Sequence, residues 1–77
     1  MEKTDITLEV FYSKLRERVS TSNAKLLLHK AIVQSGLKET NLKEPMNKSD
    51  VQTICLELIK SGGPCFYVGK EIYKQIH

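Results

Sequence analysis

Apolar residues recur at the spacing of an α-helix through most of the chain, and this periodicity restricts the fold more than any other feature of the sequence. In the first such segment they stand at positions 8, 11, 12, 15 and 19, which share one face of a helix. Three later segments carry similar apolar stripes. The pattern predicts an all-α protein, a small compact bundle of about four helices.

Polar residues and glycines between the stripes indicate where the helices begin and end. Ser20 to Asn23 is a run of short polar side chains that accept hydrogen bonds from free backbone N–H groups, so it ends the first helix and caps the second. Gly36 suits the left-handed position that commonly ends a helix, and Gly62-Gly63-Pro64 separates the last two helices. The predicted helices span residues 7–19, 22–35, 49–61 and 65–76.

Residues 37–48 have no helical periodicity and include a proline, so we predict a long loop there. We expect Leu42 and Met46 to anchor this loop on the core, because an unanchored loop of its length is unusual in so small a domain. The loop joins two helical hairpins in a single domain that covers residues 1–77, with residues 1–5 disordered.

The fourth predicted helix has a competing interpretation. Residues 65–68, Cys-Phe-Tyr-Val, also suit a short strand, and Gly69 costs about 1 kcal/mol relative to alanine inside a helix. We favour the helix because its apolar stripe continues to Ile72 and Ile76. In addition, no second strand is predicted that could pair with this segment.

Composition places the chain among ordinary globular proteins. Of its 77 residues, 40% are hydrophobic and 27% are charged, which fits neither a disordered chain nor a membrane-embedded one. Uninterrupted apolar runs such as Leu26 to Leu28 are far shorter than the ~20 residues of a spanning helix, and the N-terminus lacks the apolar core of a signal peptide. We therefore expect a cytoplasmic protein with no membrane partner.

Two cysteines, Cys55 and Cys65, are the only candidates for thiol chemistry. A secreted domain of this size that relied on disulfides would normally contain about four or more, so we expect reduced thiols, with a Cys55–Cys65 disulfide as an alternative. Cys65 follows a Gly-Gly-Pro turn at a predicted helix N-terminus, where the helix dipole can lower a thiol pKa. It is a candidate reactive thiol, although a buried structural thiol is the stronger interpretation.

No set of residues in the sequence has the composition and spacing of an active site. A nucleophilic cysteine generally needs a base, and the two histidines, His29 and His77, lie in mid-chain and at the last position. The cysteines and histidines also lack the paired spacing of a structural zinc site. We therefore expect a protein without catalytic activity, metal or cofactor.

The formal charge of +3 comes from 12 basic and 9 acidic residues, a mild excess that permits an anionic partner without requiring one. The first predicted hairpin is the more basic part, and its charges offer a surface to an acidic partner. They surround the hairpin instead of forming one stripe, so solubility alone also explains them. The residues are Lys14, Arg16, Arg18, Lys25, His29 and Lys30.

A nucleic-acid-binding regulator is one alternative function. The last two predicted helices and their short glycine-containing turn are typical of a helix-turn-helix unit. The first residues of the second helix, 65–67, are poor readers of base edges, and Lys70, Tyr73 and Lys74 suit phosphate contacts better.

Aromatic and apolar residues exceed what the core of a four-helix domain of this length needs, so some of them are expected at the surface. An apolar patch bordered by lysines is typical of a protein interface, with aromatic side chains as anchors. The sequence therefore favours a small helical protein–protein interaction or regulatory adaptor module, with a homodimer possible. The candidate partner-binding residues are Phe66, Tyr67, Lys70, Tyr73 and Lys74.

Overall fold

A computed structural model of the chain describes residues 3–37 and 43–76. Over these ranges it contains four α-helices and no β-strand, apart from one isolated backbone bridge between Lys3 and Asn47. The predicted all-α fold is confirmed. The helices are α1 (Leu8–Arg16), α2 (Thr21–Ser35), α3 (Lys48–Ser61) and α4 (Gly63–Gln75).

The helices pack as two hairpins around one core. α1 contacts α2 and α4, α2 contacts α3, and the most extensive contact joins α3 to α4. Each helix turns its apolar stripe inward, and no polar or charged side chain of the described residues is buried. The largest fully buried side chains are Phe11, Leu15, Val51, Ile54, Cys55, Leu58, Val68 and Ile72.

The first helix ends at Arg16, three residues before the predicted end at residue 19. Ser20 has the extended backbone of an N-cap, and its hydroxyl oxygen accepts a hydrogen bond from the Asn23 N–H at 3.3 Å. The chain must leave the helical path to present this cap, so the residues from Glu17 onward form a turn. Val19 nevertheless stays half-buried against the core.

Capping explains the other helix ends. The Thr7 hydroxyl accepts from the Val10 N–H at 3.4 Å at the start of α1. Gly36 has a φ of 75° and ends α2 in the left-handed conformation, as predicted. Asn47 occupies the N-cap position of α3, but its side chain makes no capping hydrogen bond.

The N-terminal segment, for which we expected disorder over residues 1–5, lies instead along the long loop in the part that the structure describes. The Thr4 N–H donates to the Met46 carbonyl oxygen, and the Met46 N–H donates to the Ile6 carbonyl oxygen, both at 2.9 Å. Met46 packs on the core as expected. Leu42, its predicted companion, lies outside the described residues.

A single residue, Gly62, separates α3 from α4. Its φ of 73° and ψ of −171° fall in a region that is essentially restricted to glycine, and Pro64 occupies the first turn of α4. The helix begins at Gly63, two residues before the prediction, and continues without interruption to Gln75. The alternative of a strand over residues 65–68 is therefore wrong.

Gly69, which the sequence places on the inward stripe of α4 at a cost in helix propensity, lies in close contact with α3. A Cβ atom built on Gly69 would be 2.7 Å from the Cys55 carbonyl oxygen and 3.0 Å from the Cβ of Leu58. Any side chain would push α4 away from α3. The helix-propensity cost of glycine is thus offset by an approach of the two backbones that no other residue permits.

We predict that Gly69→Ala destabilises the protein by about 1–3 kcal/mol, the usual effect of overpacking a rigid core. Helix propensity alone would stabilise it by about 1 kcal/mol, so the two effects have opposite signs. Urea denaturation of the full chain measures the difference, with Gln75→Ala at the exposed end of α4 as the control. Equal or greater stability of Gly69→Ala would show that the helices can separate without penalty.

Candidate partner-binding surface

The buried stripe of α4 determines which side chains of this helix remain outside. Cys65, Val68, Gly69 and Ile72 face the core. Four of the five predicted partner-binding residues are exposed: Phe66, Tyr67, Lys70 and Lys74. The fifth, Tyr73, is half-buried and packs against the core, so it does not join the others at the surface.

Phe66 and Tyr67 form an edge-to-face pair on the first turns of α4. Their ring centroids are 5.5 Å apart and their planes meet at 87°. Even in this arrangement, 36% of the surface of Phe66 and 56% of that of Tyr67 are accessible to solvent. Burying these exposed apolar areas against a partner would lower the free energy more than covering any other part of the outer face of α4.

A cation lies over each of the two rings. The Lys70 Nζ is 5.7 Å from the ring centroid of Phe66, and the Arg18 Cζ is 5.0 Å from that of Tyr67. Both distances are within the range of cation–π attraction. We call the surface formed by Arg18, Phe66, Tyr67 and Lys70 the aromatic corner.

Arg18 is the member of the aromatic corner that sequence reasoning did not assign to the site. Its helical-wheel position placed it on the outer face of a first helix extending to residue 19. Because α1 ends at Arg16, Arg18 lies in the following turn, where its side chain reaches Tyr67 on α4. The polar run after residue 19 was the available signal that the helix ends early.

An ion pair fixes α1 to α4 beside the aromatic corner. The Lys14 Nζ donates to the Glu71 Oε1 at 2.8 Å. The hydrogen bond and charge of Lys14 hold the pKa of the Glu71 carboxyl below its ordinary value, and the more distant charge of Arg18 adds to this. Lys14 thus engages the carboxylate of Glu71, which lies on the same helix as the aromatic pair.

The two arginines of this region are both held by tyrosine rings. The Arg16 Cζ lies 5.4 Å from the ring centroid of Tyr12, one turn earlier on α1. Among the described residues, no carboxylate forms an ion pair with Arg16 or Arg18. Their guanidinium N–H groups therefore remain available to an external acceptor.

Both cysteines are buried thiols that are not joined by a disulfide. Burial raises the pKa of Cys55 to about 12 and also raises that of Cys65, and the nearby charge of Lys30 offsets only part of the effect on Cys65. Desolvation thus outweighs the helix N-terminus, which could have lowered the pKa of Cys65. His29 is exposed on α2, and His77 lies outside the described residues.

Over residues 3–37 and 43–76, no group of three or more histidine, cysteine, aspartate or glutamate side chains is arranged to hold a metal ion. None of the described helices is long and apolar enough to cross a membrane.

The α3–α4 pair differs in geometry from a helix-turn-helix unit. Cys55 and Gly69, which are in close contact, each lie seven positions from Gly62. The helices therefore remain side by side about two turns from their connection. In a helix-turn-helix unit they diverge at roughly 90–120° after a turn of three or four residues.

A second exposed apolar feature lies on α2. Leu26 and Val33 are 67% and 60% exposed, and they are seven residues apart, so they align along one outer stripe. Their exposure fits the sequence pattern, because neither residue is part of the inward stripe of α2. No cation–π or aromatic contact accompanies this pair among the described residues.

Comparisons with models of known protein families, with curated proteins and with solved structures gave no match to this chain.

We predict that Glu71 titrates below its ordinary carboxyl pKa and that Lys14→Gln moves the midpoint upward. The pair stabilises the folded state above the ordinary pKa of about 4.5, and this contribution is lost as the pH falls through the lower folded-state value. NMR titration of the Glu71 side-chain carboxyl measures both midpoints. Arg18→Gln is the control and should produce the smaller shift.

We predict that neither thiol reacts rapidly with Ellman's reagent in the folded protein at pH 8. The raised pKa values keep both sulfurs protonated, and burial excludes the reagent. Both should react at once in concentrated urea, which provides the control for total thiol. Rapid reaction of Cys65 alone in the native protein would contradict the assignment of a structural role.

Proposed function

We propose that this protein is a small interaction module of the regulatory or adaptor type, without catalytic activity, that binds another protein through the aromatic corner. The observation that carries the proposal is the exposed edge-to-face pair of Phe66 and Tyr67 with a cation over each ring. Aromatic residues and arginine are enriched at protein interfaces and among the residues that contribute most to binding, and aromatic side chains bury much area at a low cost in conformational entropy.

Rigidity of the aromatic corner supports the same function. Phe66 and Tyr67 are on an uninterrupted helix that packs tightly on α3 through Gly69, and the Lys14–Glu71 ion pair ties this helix to α1. A surface that is already ordered loses little conformational freedom on binding. This order favours a preformed docking site over a segment that folds only when it binds its partner.

Burial of both thiols is consistent with a non-enzymatic role. Raised pKa values make Cys55 and Cys65 poor nucleophiles, and the histidine nearest in sequence among the described residues, His29, is exposed on α2. The chemistry available to the described side chains is therefore recognition by packing, hydrogen bonding and charge. We place this function in the cytoplasm, where reduced thiols are the normal state.

The aromatic pair provides the test. We predict that Phe66→Ala combined with Tyr67→Ala lowers the recovery of protein partners from a native-host extract by roughly tenfold or more, because aromatic anchors dominate binding energy. The matched control is Leu26→Ala combined with Val33→Ala, which removes exposed apolar side chains from α2 and should leave recovery unchanged. Circular dichroism verifies that both variants fold.

Three outcomes separate the possible partners. Recovery that survives nuclease treatment and depends on the aromatic pair supports a protein partner. Recovery that disappears with nuclease supports the alternative of a nucleic-acid-binding regulator and contradicts the proposal. Analytical ultracentrifugation of the purified chain identifies a homodimer, which should revert to monomer in the aromatic variant if the corner is its interface.

A further inference from the structure

We infer that the aromatic corner binds an acidic protein segment, in which carboxylates flank one apolar side chain. This deepens the proposed function by naming the chemical class of its partner, and it rests on that function.

Cations outnumber carboxylates on the surface that surrounds the aromatic pair. This surface consists of the last turn of α1, the turn that follows it, and the outer face of α4. Near the pair it carries four cations, Lys14, Arg16, Arg18 and Lys70, and two carboxylates, Glu17 and Glu71. The surplus is two positive charges. A complementary partner therefore has to be anionic.

Glu71 does not form an ion pair with the two cations of the aromatic corner. Glu71 accepts its 2.8 Å hydrogen bond from Lys14. Its charge is thereby directed to α1, while Arg18 interacts with it only at longer range. Arg18 and Lys70 contact aromatic rings and are not ion-paired with any described carboxylate.

The stacking of Arg18 on Tyr67 prepares it to bind a carboxylate. A guanidinium that lies over a ring keeps its N–H groups at its edge, where they can donate in parallel to the two oxygens of one carboxylate. The ring contact also restricts the long side chain before the partner arrives, which lowers the entropic cost of the ion pair. Lys70, whose Nζ lies over Phe66, supplies a second cationic donor.

The perpendicular rings favour an apolar side chain over a nucleobase as the central contact. Proteins that bind single-stranded nucleic acid stack successive bases on open ring faces. Here the ring planes meet at 87°, and one face of each ring is covered by a cation. The two rings cannot form a parallel platform for successive bases, but their exposed apolar surface can pack against a branched aliphatic or aromatic side chain.

A selection from random peptides tests the inference without knowledge of the natural partner. The full chain is immobilised, and a phage library of random peptides, about 12 residues long, is selected on it in parallel with the Phe66→Ala, Tyr67→Ala variant. We expect peptides enriched on the wild type alone, with roughly twice the aspartate and glutamate of the unselected library and a conserved apolar position between them.

Charge reversal provides the matched pair of variants. Arg18→Glu with Lys70→Glu should weaken binding of the selected peptides about tenfold or more and should shift the selection toward lysine and arginine. Lys3→Glu with Lys48→Glu changes the net charge equally, at the opposite end of α4, and should have little effect. Thermal unfolding followed by circular dichroism shows whether each variant is folded.

Failure of the inference and failure of the proposed function give different results. Peptides that depend on the aromatic pair but show no excess of acidic residues, or that bind the charge-reversed chain equally well, would overturn the inference alone. Selection of the same peptides by the wild type and the aromatic variant, or of none by either, would overturn both. Tighter binding of a 12-nucleotide single-stranded DNA than of any selected peptide, at equal salt, would also overturn the inference.

Discussion

The contact of the α4 backbone with the carbonyl oxygen of Cys55 is the constraint on which the rest of this small structure depends. Because Gly69 lies at this contact, the rotation of α4 about its own axis is determined: a side chain in any other register would separate the helices. That rotation turns Phe66, Tyr67 and Lys70 outward and leaves Ile72 in the core. A residue with no side chain thus decides which side chains a partner can reach.

The helical periodicity was sufficient to predict the architecture, since four apolar stripes with polar or glycine-rich breaks have few other solutions. The errors lie where one residue has to satisfy two neighbouring elements. Ser20 caps α2 at the expense of the last turn expected in α1, and local propensity does not measure that competition. Gly69 counted as a cost in helix propensity, because its benefit is a contact with Cys55 and Leu58 on α3, and propensity within one helix does not measure such a contact.

The candidate surface was predictable in its composition but not in its arrangement. An excess of aromatic residues over the needs of the core indicated an exposed patch, and Phe66 and Tyr67 form it. The same reasoning could not exclude Tyr73, whose wheel position lies at the edge of the buried stripe. It placed Arg18 among the basic residues open to an acidic partner but not beside Tyr67, because that contact exists only after α1 and α4 pack.

The backbone bonds between Thr4 and Met46 have a consequence for any covalent attachment to this chain. They hold Lys3 to Ile6 close to Gln75 and Ile76, at the end of α4 remote from the aromatic corner by roughly 14 Å of helix. A tether, a fused domain or a sensor surface joined ahead of Lys3 is therefore anchored at the opposite pole. The aromatic corner then faces away from the attached tether, domain or surface.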